Sequence, residues 1–238
     1  MVRVAALLLA IIGAVACGES SSINVAAASS LRVVLAEAAE AGGAPTHTRI
    51  GFSGSQTSAA QVEGGARIDV VVMAGSQPLD RLVAKGLVEE PVTIGWGRLA
   101  IIVADGNPHD VGSLADLVRL SEDGFVMLPA PDVPAGAAAA RALREARLNL
   151  DPVALQRSAA GVVTQVATGA ADAGIAYVSD GNVEGVDAIE IDGAPAVPYR
   201  AAVVRDTSQP AKARRWLAAL SHRDARAVLA AAGIEAEA

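Results

Sequence analysis

Cysteine, histidine, aromatic residues and positive charge are all scarce in this chain, and each scarcity removes a class of chemistry. Cys17 is the only cysteine, so no disulfide, zinc site or thiol catalysis can be built within one chain. The three histidines, His47, His109 and His222, are scattered in polar surroundings without ligand-like spacing and read as surface positions. Aromatic residues make up 3% of the sequence, so small and branched aliphatics must fill the core, a composition that suits α/β layers. Basic residues number 19 against 26 acidic ones, a formal charge of −7. Such a surface has no electrostatic footprint for nucleic acid or anionic lipid. Neither Gly-x-Gly-x-x-Gly nor a phosphate loop ending in Gly-Lys-Ser/Thr occurs, and Ser53 and Ser55 do not fit a Gly-x-Ser-x-Gly elbow.

What is present begins with a leader. Arg3 precedes an apolar run over 4–16, too short to cross a hydrocarbon core of ~30 Å at ~1.5 Å per residue. Ala14, Val15 and Ala16 stand before Cys17, and the polar Glu19-Ser20-Ser21-Ser22 follows. This resembles the lipobox of bacterial lipoproteins, in which the cysteine sulfur is acylated and the peptide is cut before it. The expectation is a signal peptide at 1–16, a lipid-bearing Cys17 with a tether at 17–22, and a mature protein held outside the cytoplasmic membrane by its lipid. An ordinary secretory leader with an incidental cysteine is the alternative. About 216 residues remain, enough for one large domain or two lobes of ~100 residues.

Apolar runs bounded by small residues alternate with segments of helical period, the pattern of βα units on a parallel sheet. Strands are expected at 23–28, 48–52 and 70–73, each followed by a helix, at 31–41, 56–64 and 77–85. Later come a helix capped by Ser113, a strand at 125–128, an alanine-rich helix at 136–147, a short helix at 161–168, a short strand at 174–177 and two closing helices at 209–220 and 224–231. Extended stretches at 92–103 and 197–204 bracket the middle of the chain. Read as paired crossovers, they give two lobes, 23–95 with 200–238 and 96–199, joined by a hinge and able to close over a ligand. A single sheet of six or seven strands is the alternative.

The strand-to-helix junctions are built from small residues: Ser29-Ser30, Ser53-Gly54-Ser55, Pro134-Ala135-Gly136 and Ala159-Ala160-Gly161. In open α/β sheets, ligands sit beyond the carboxyl ends of the strands. Each helix start offers unpaired N–H groups and up to about +0.5 charge, so four convergent starts would offset most of a dianion's charge without lysine or arginine. Hydroxyls and N–H groups can donate to every oxygen of a deprotonated tetrahedral oxyanion, while no carboxylate accepts from a protonated one. Taken singly, each junction is more simply an N-cap or a turn; the signal lies in the set. Asp69 and Asp180 read as turn or hinge acceptors, and Lys85, Arg141, Arg144 and Arg147 as solvated charges.

Ala27-Ala28-Ser29-Ser30-Leu31, Phe52-Ser53-Gly54-Ser55 and Ile68-Asp69-Val70-Val71-Val72-Met73-Ala74 resemble the opening of the molybdate-binding proteins of ABC importers. Val133-Pro134-Ala135-Gly136 and Ala173-Gly174-Ile175-Ala176-Tyr177-Val178-Ser179-Asp180 resemble that family's later signatures, in the same order, and the likeness spans about 23–232. It implies a type II periplasmic-binding-protein fold, each lobe a mainly parallel sheet flanked by helices, with crossover hinge strands. It implies capture of molybdate or tungstate by a monomer that delivers it to a membrane permease, with no reaction and no cofactor. By the same resemblance, Ser30 and Ser55 give hydroxyl and backbone donors, Ala135 and Ala159 give backbone N–H groups, and Tyr177 gives its phenol. Ala159 keeps the family's spacing of eighteen residues before the tyrosine. Gln56-Thr57-Ser58 and Ala138 depart from the family's usual residues. Another oxyanion, such as sulfate or thiosulfate, is the alternative ligand, and a secreted serine hydrolase the remote alternative function.

Overall fold

The computed structural model describes residues 22–236; the expectations for the leader, Cys17 and most of the tether lie outside them. Two sheets organise these residues. The first takes strands β1 (Ile23–Ala28), β2 (Thr48–Ser53), β3 (Val70–Ala74), β4 (Val92–Gly97), β10 (Val197–Val203) and β11 (Ile234–Glu235) in the order β11-β4-β10-β3-β1-β2. The second takes β5 (Leu99–Ala104), β6 (Val126–Pro129), β7 (Ala154–Gln156), β8 (Ala173–Tyr177) and β9 (Val186–Glu190) in the order β7-β6-β8-β5-β9. The chain leaves the first sheet after β4, builds the second, and returns at β10. The expected lobe limits at 95/96 and 199/200 fall inside β4 and β10, both of which belong wholly to the first sheet.

Both sheets are mixed. β1 pairs in parallel with β2 and β3, and β6 with β7 and β8. β4, β5 and β10 pair antiparallel with their neighbours. The crossover strands can run antiparallel because they link sheet to sheet directly, whereas parallel neighbours need a covering helix between them. One residue, Arg98, separates β4 from β5. Its guanidinium pairs with Glu190 on β9 and Glu235 on β11, tying the two sheets together at the crossover.

β1 and β3 lie inside the first sheet with helices on both faces, which is why residues 25–28 and 70–74 are unbroken apolar runs. Ala26, Val71 and Met73 pack with Leu79 and Leu82 beneath helices α2 (Ser55–Glu63) and α3 (Gln77–Ala84). Their neighbours Val25, Ala27, Val70 and Val72 point the other way, into the main core. There they join Leu35 of α1 (Leu35–Ala41), Trp216 of α7 (Pro210–Ala219) and Leu229 of α8 (Arg223–Ala231). The second sheet is covered by α4 (Leu114–Leu120), α5 (Pro134–Glu145) and α6 (Ala159–Ala167). Ser113 caps α4, its hydroxyl accepting the Asp116 N–H at 3.2 Å. No helix of the described residues is long and apolar enough to cross a membrane.

Two departures from expectation shape the cleft. The helix expected at 31–41 is a 3-10 turn over Ser29–Leu31, with α1 beginning only at Leu35. The adjacent β-branched Val33 and Val34 disfavour continuous helix, and the tight turn keeps Ser30 and Leu31 buried. Helices α5 and α6 start two residues earlier than expected, at Pro134 and Ala159, which places Ala135 and Ala159 in their first turns. Proline suits a first helical position because its missing N–H would have no partner there.

α6 approaches the second sheet closely at Gly174. A Cβ there would lie 2.3 Å from Val162 Cγ1 and 2.4 Å from the Met127 carbonyl oxygen. Gly174→Ala is therefore expected to lower unfolding free energy by about 1–3 kcal/mol, the range for overpacking, as measured by urea denaturation. An unchanged midpoint would show that the spacing of α6 from β6 and β8 is adjustable.

Candidate functional site

Parallel strands finish on the same edge of their sheet, so the junctions after β1, β2 and β3 are neighbours, as are those after β6, β7 and β8. The two edges face one another. All five expected residues, Ser30, Ser55, Ala135, Ala159 and Tyr177, line one cavity with Ala28, Ser29, Gly54, Ala74, Val133, Pro134 and Ser158. No charged side chain is in that lining. The cavity volume is about 20 Å³, on the scale of the ~10–15 Å³ that one water needs.

Each of the five residues is placed by an identifiable local structure. Ser30 sits in the 3-10 turn and its Oγ accepts the Tyr199 O–H at 2.8 Å. Ser55 opens α2 after the extended Gly54, and its Oγ accepts the Ala74 N–H at 3.0 Å, fastening the end of β3 to the start of α2. Ala135 follows Pro134 in α5. Ala159 begins α6 behind Ser158, whose hydroxyl accepts the Gly161 N–H at 3.1 Å. Tyr177 ends β8, and its buried hydroxyl has no hydrogen-bond partner. Three α-helix starts therefore converge here rather than four, since the first junction is a 3-10 turn.

The walls are shut. The Gln56 side-chain amide donates to the Asp132 carbonyl across the cleft at 2.9 Å. A Cβ on Gly75, whose φ is +71°, would lie 2.8 Å from Pro134 Cβ.

Polar groups concentrate on the crossover side of the cavity. The Tyr177 and Tyr199 rings meet at 5.8 Å with a 53° tilt. Burial, with smaller contributions from Tyr199 and Asp180, pushes the Tyr177 phenol well above its usual range. Burial, then the nearby Asp180 charge, pushes the Tyr199 phenol up. Both remain neutral hydrogen-bond donors at physiological pH. Asp180 is 4% exposed, and burial pushes its carboxyl up to about 7, opposed by the bond it accepts from the Tyr177 N–H at 3.1 Å.

Asp180 is thus a local acceptor, and Asp69 likewise: its carboxylate accepts the Asn24 N–H at 2.7 Å and the Thr207 hydroxyl, joining β1 to the segment before α7. His47, His109 and His222 are exposed and outside the cavity lining, as are Lys85, Arg141, Arg144 and Arg147. Among the described residues, no cluster of His, Cys, Asp or Glu could hold a metal ion. Tyr199 escaped the sequence reading because it lies inside an extended run with no motif of its own. Its only advance signal was being the second of two tyrosines.

A family model described as bacterial extracellular solute-binding protein matches residues 23–235. The chain belongs to that family. The molybdate-binding protein ModA of Mycobacterium tuberculosis (strain ATCC 25618 / H37Rv) is 34% identical to this solute-binding protein over 252 residues, 97% of this chain and 95% of that one. Among solved structures, the periplasmic molybdate-binding protein of Azotobacter vinelandii superposes with a TM-score of 0.78 at 20% identity, covering 90% of this chain and 98% of that one. The sulfate-binding protein SubI from Mycobacterium tuberculosis H37Rv gives 0.73 at 17% identity, covering 90% and 86%. Both likenesses establish the fold: two mixed sheets flanked by helices, in the architecture of periplasmic binding proteins.

The solute-binding protein should carry a pH signature from Asp180. Its folded pKa of about 7 lies above the ordinary value of 3.8, so between those limits the folded state binds more protons than the unfolded one. Stability should fall as pH rises through that window, the burial penalty being absent below it and full above it. Asp180→Asn, which keeps an acceptor for the Tyr177 N–H, should flatten that slope in urea unfolding followed across the window. Parallel pH profiles for the two proteins would show that the carboxyl titrates normally.

Proposed function

We propose that this protein is the substrate-binding component of an ABC importer, that it captures molybdate or tungstate between its two lobes, and that it presents the ion to a membrane permease. The observation that carries this reading is the single cavity lined by Ser30, Ser55, Ala135, Ala159 and Tyr177 from both sides of the cleft, without a charged side chain. Neutral donors converging from several directions suit a fully deprotonated tetrahedral dianion. The Tyr177 hydroxyl, buried and unpartnered, supports it further, because such a group costs about 1–3 kcal/mol unless something in the cavity accepts from it.

The lobes turn as units about the crossovers near Arg98 and the 191–196 segment. Each supplies part of the donor shell, so an ion touching both favours the closed arrangement by its differential contacts. The protein works as a monomer outside the cytoplasmic membrane, tethered through a lipid on Cys17. It performs no chemistry on its ligand. Support for that comes from the histidines: the three are exposed and none adjoins Ser30 or Ser55, so neither serine has a general base of the kind a nucleophile needs.

Thermal unfolding of the mature protein with molybdate, tungstate, sulfate and thiosulfate should show the largest rise in midpoint with the first two. A larger rise with sulfate would reassign the ligand, and no rise with any of them would end the oxyanion reading.

Ser30→Ala and Ser55→Ala should each weaken molybdate binding by about 1–3 kcal/mol, the range for losing a donor to a charged acceptor. Calorimetric titration measures this directly. Unchanged affinity in both variants would mean that these serines serve only the fold.

A further inference from the structure

A serine hydroxyl can donate one hydrogen bond and accept two, so its presence beside a cavity does not decide which it does there. Ser55 is settled by the backbone: its oxygen accepts the Ala74 N–H at 3.0 Å, and its own hydrogen is left for the cavity. Ser30 has no such backbone partner. Its oxygen accepts instead from the Tyr199 hydroxyl at 2.8 Å, between side chains 6% and 0% exposed.

We infer that Tyr199 is a positioning residue that holds Ser30 as a donor toward the cavity, and that it thereby sets the site's preference for a fully deprotonated oxyanion over one that carries a proton. This rests on the oxyanion reading above. A phenol carries one hydrogen, and Tyr199 directs it at Ser30 Oγ. The serine can then satisfy the pair only by turning its own hydrogen away from Tyr199. Ser30 and Ser55 then each have a hydrogen to give to the cavity, and so does the unpartnered Tyr177 hydroxyl. An ion bearing a proton needs an acceptor, and this lining has no carboxylate to give it one, while the Ser30 and Ser55 oxygens each already accept one hydrogen bond.

The fold fixes the phenol in that position by three means. The register of β10 against β4 shifts between Tyr199 and Arg200, the kind of irregularity that re-aims a side chain. Gly97 leaves room for the ring, since a Cβ there would lie 2.7 Å from Tyr199 Cε2 and 3.3 Å from Tyr177 Cδ1. The Tyr177 ring closes the other side at 5.8 Å. Burial also holds the phenol in its neutral, proton-bearing form. Ser30 and Tyr199 are 169 residues apart in sequence, so nothing short of the folded chain brings them together.

The test compares wild type, Tyr199→Phe, Ser30→Ala and the double variant. Calorimetry is run with sodium molybdate, and competition with hydrogen phosphate at mildly alkaline pH. Tyr199→Phe should weaken molybdate binding about three- to tenfold, the range for one hydrogen bond. It should lower the preference for molybdate over hydrogen phosphate, and it should add no further loss in the Ser30→Ala background. Urea unfolding of the same four ligand-free proteins should show coupling between the two sites, which reads the hydrogen bond without any ligand. Equal losses from Tyr199→Phe in both backgrounds, or an unchanged preference, would overturn the inference while leaving the oxyanion reading intact. Failure of the wild type to bind any oxyanion would remove both.

Discussion

An anion buried without cationic side chains is held only if several neutral dipoles reach it from different directions, because one helix start supplies about half a charge at most. In the proposed site the requirement is met by geometry alone. Parallel pairing of β1, β2 and β3 puts three junctions on one edge, and parallel pairing of β6, β7 and β8 puts three on the facing edge. The cavity lies where those edges meet. Lining it with lysine or arginine would bring long side chains into about 20 Å³, while serine, alanine and glycine let backbone N–H groups come within bonding distance. The small-residue composition of the junctions and the acidic surface are therefore compatible parts of one solution.

Closure is tied to the same region. Tyr199 belongs to the first sheet, Tyr177 to the second, and their rings meet beside the crossover at Gly97 and Arg98. Asp180 lies one 3-10 turn beyond Tyr177, buried and with its carboxyl raised to about 7. Burial of that carboxyl is opposed by lost hydration, which is what raises it. The Arg98 pairs with Glu190 and Glu235 are half-exposed and fix geometry more than they add stability.

The main elements were legible because their periodicity was strong. The unbroken Val70-Val71-Val72-Met73 run could only be an inner strand, and the alanine-rich stretch after Pro134 could only be a helix. Ser113 announced its capping role. The edge strands β7, β9 and β11 were missed, since two to five residues carrying Gln, Asp or Glu show no period that a window can detect. The helix was expected to start at Leu31 rather than Leu35 because Leu31, Val34, Leu35 and Ala38 keep helical spacing, and only the packing around Ser30 and Leu31 imposes the tighter turn. The five cavity residues were found through a family likeness of motifs rather than from physics, which at each junction favoured a plain cap or turn.

By itself the sequence determined the alternation of strand and helix, the neutral character of the four small-residue junctions, the want of a second cysteine, and membership of the solute-binding family. Those properties reside in local order and composition, which are written residue by residue. Only the tertiary structure decided that junctions from distant parts of the chain share one cavity, that Asp180 loses its solvent, and that Tyr199 meets Ser30 across 169 residues. Hydrogen-bond direction and desolvation depend on which groups become neighbours, and neighbours separated by most of the chain are chosen by sheet order and packing rather than by any pattern within a window.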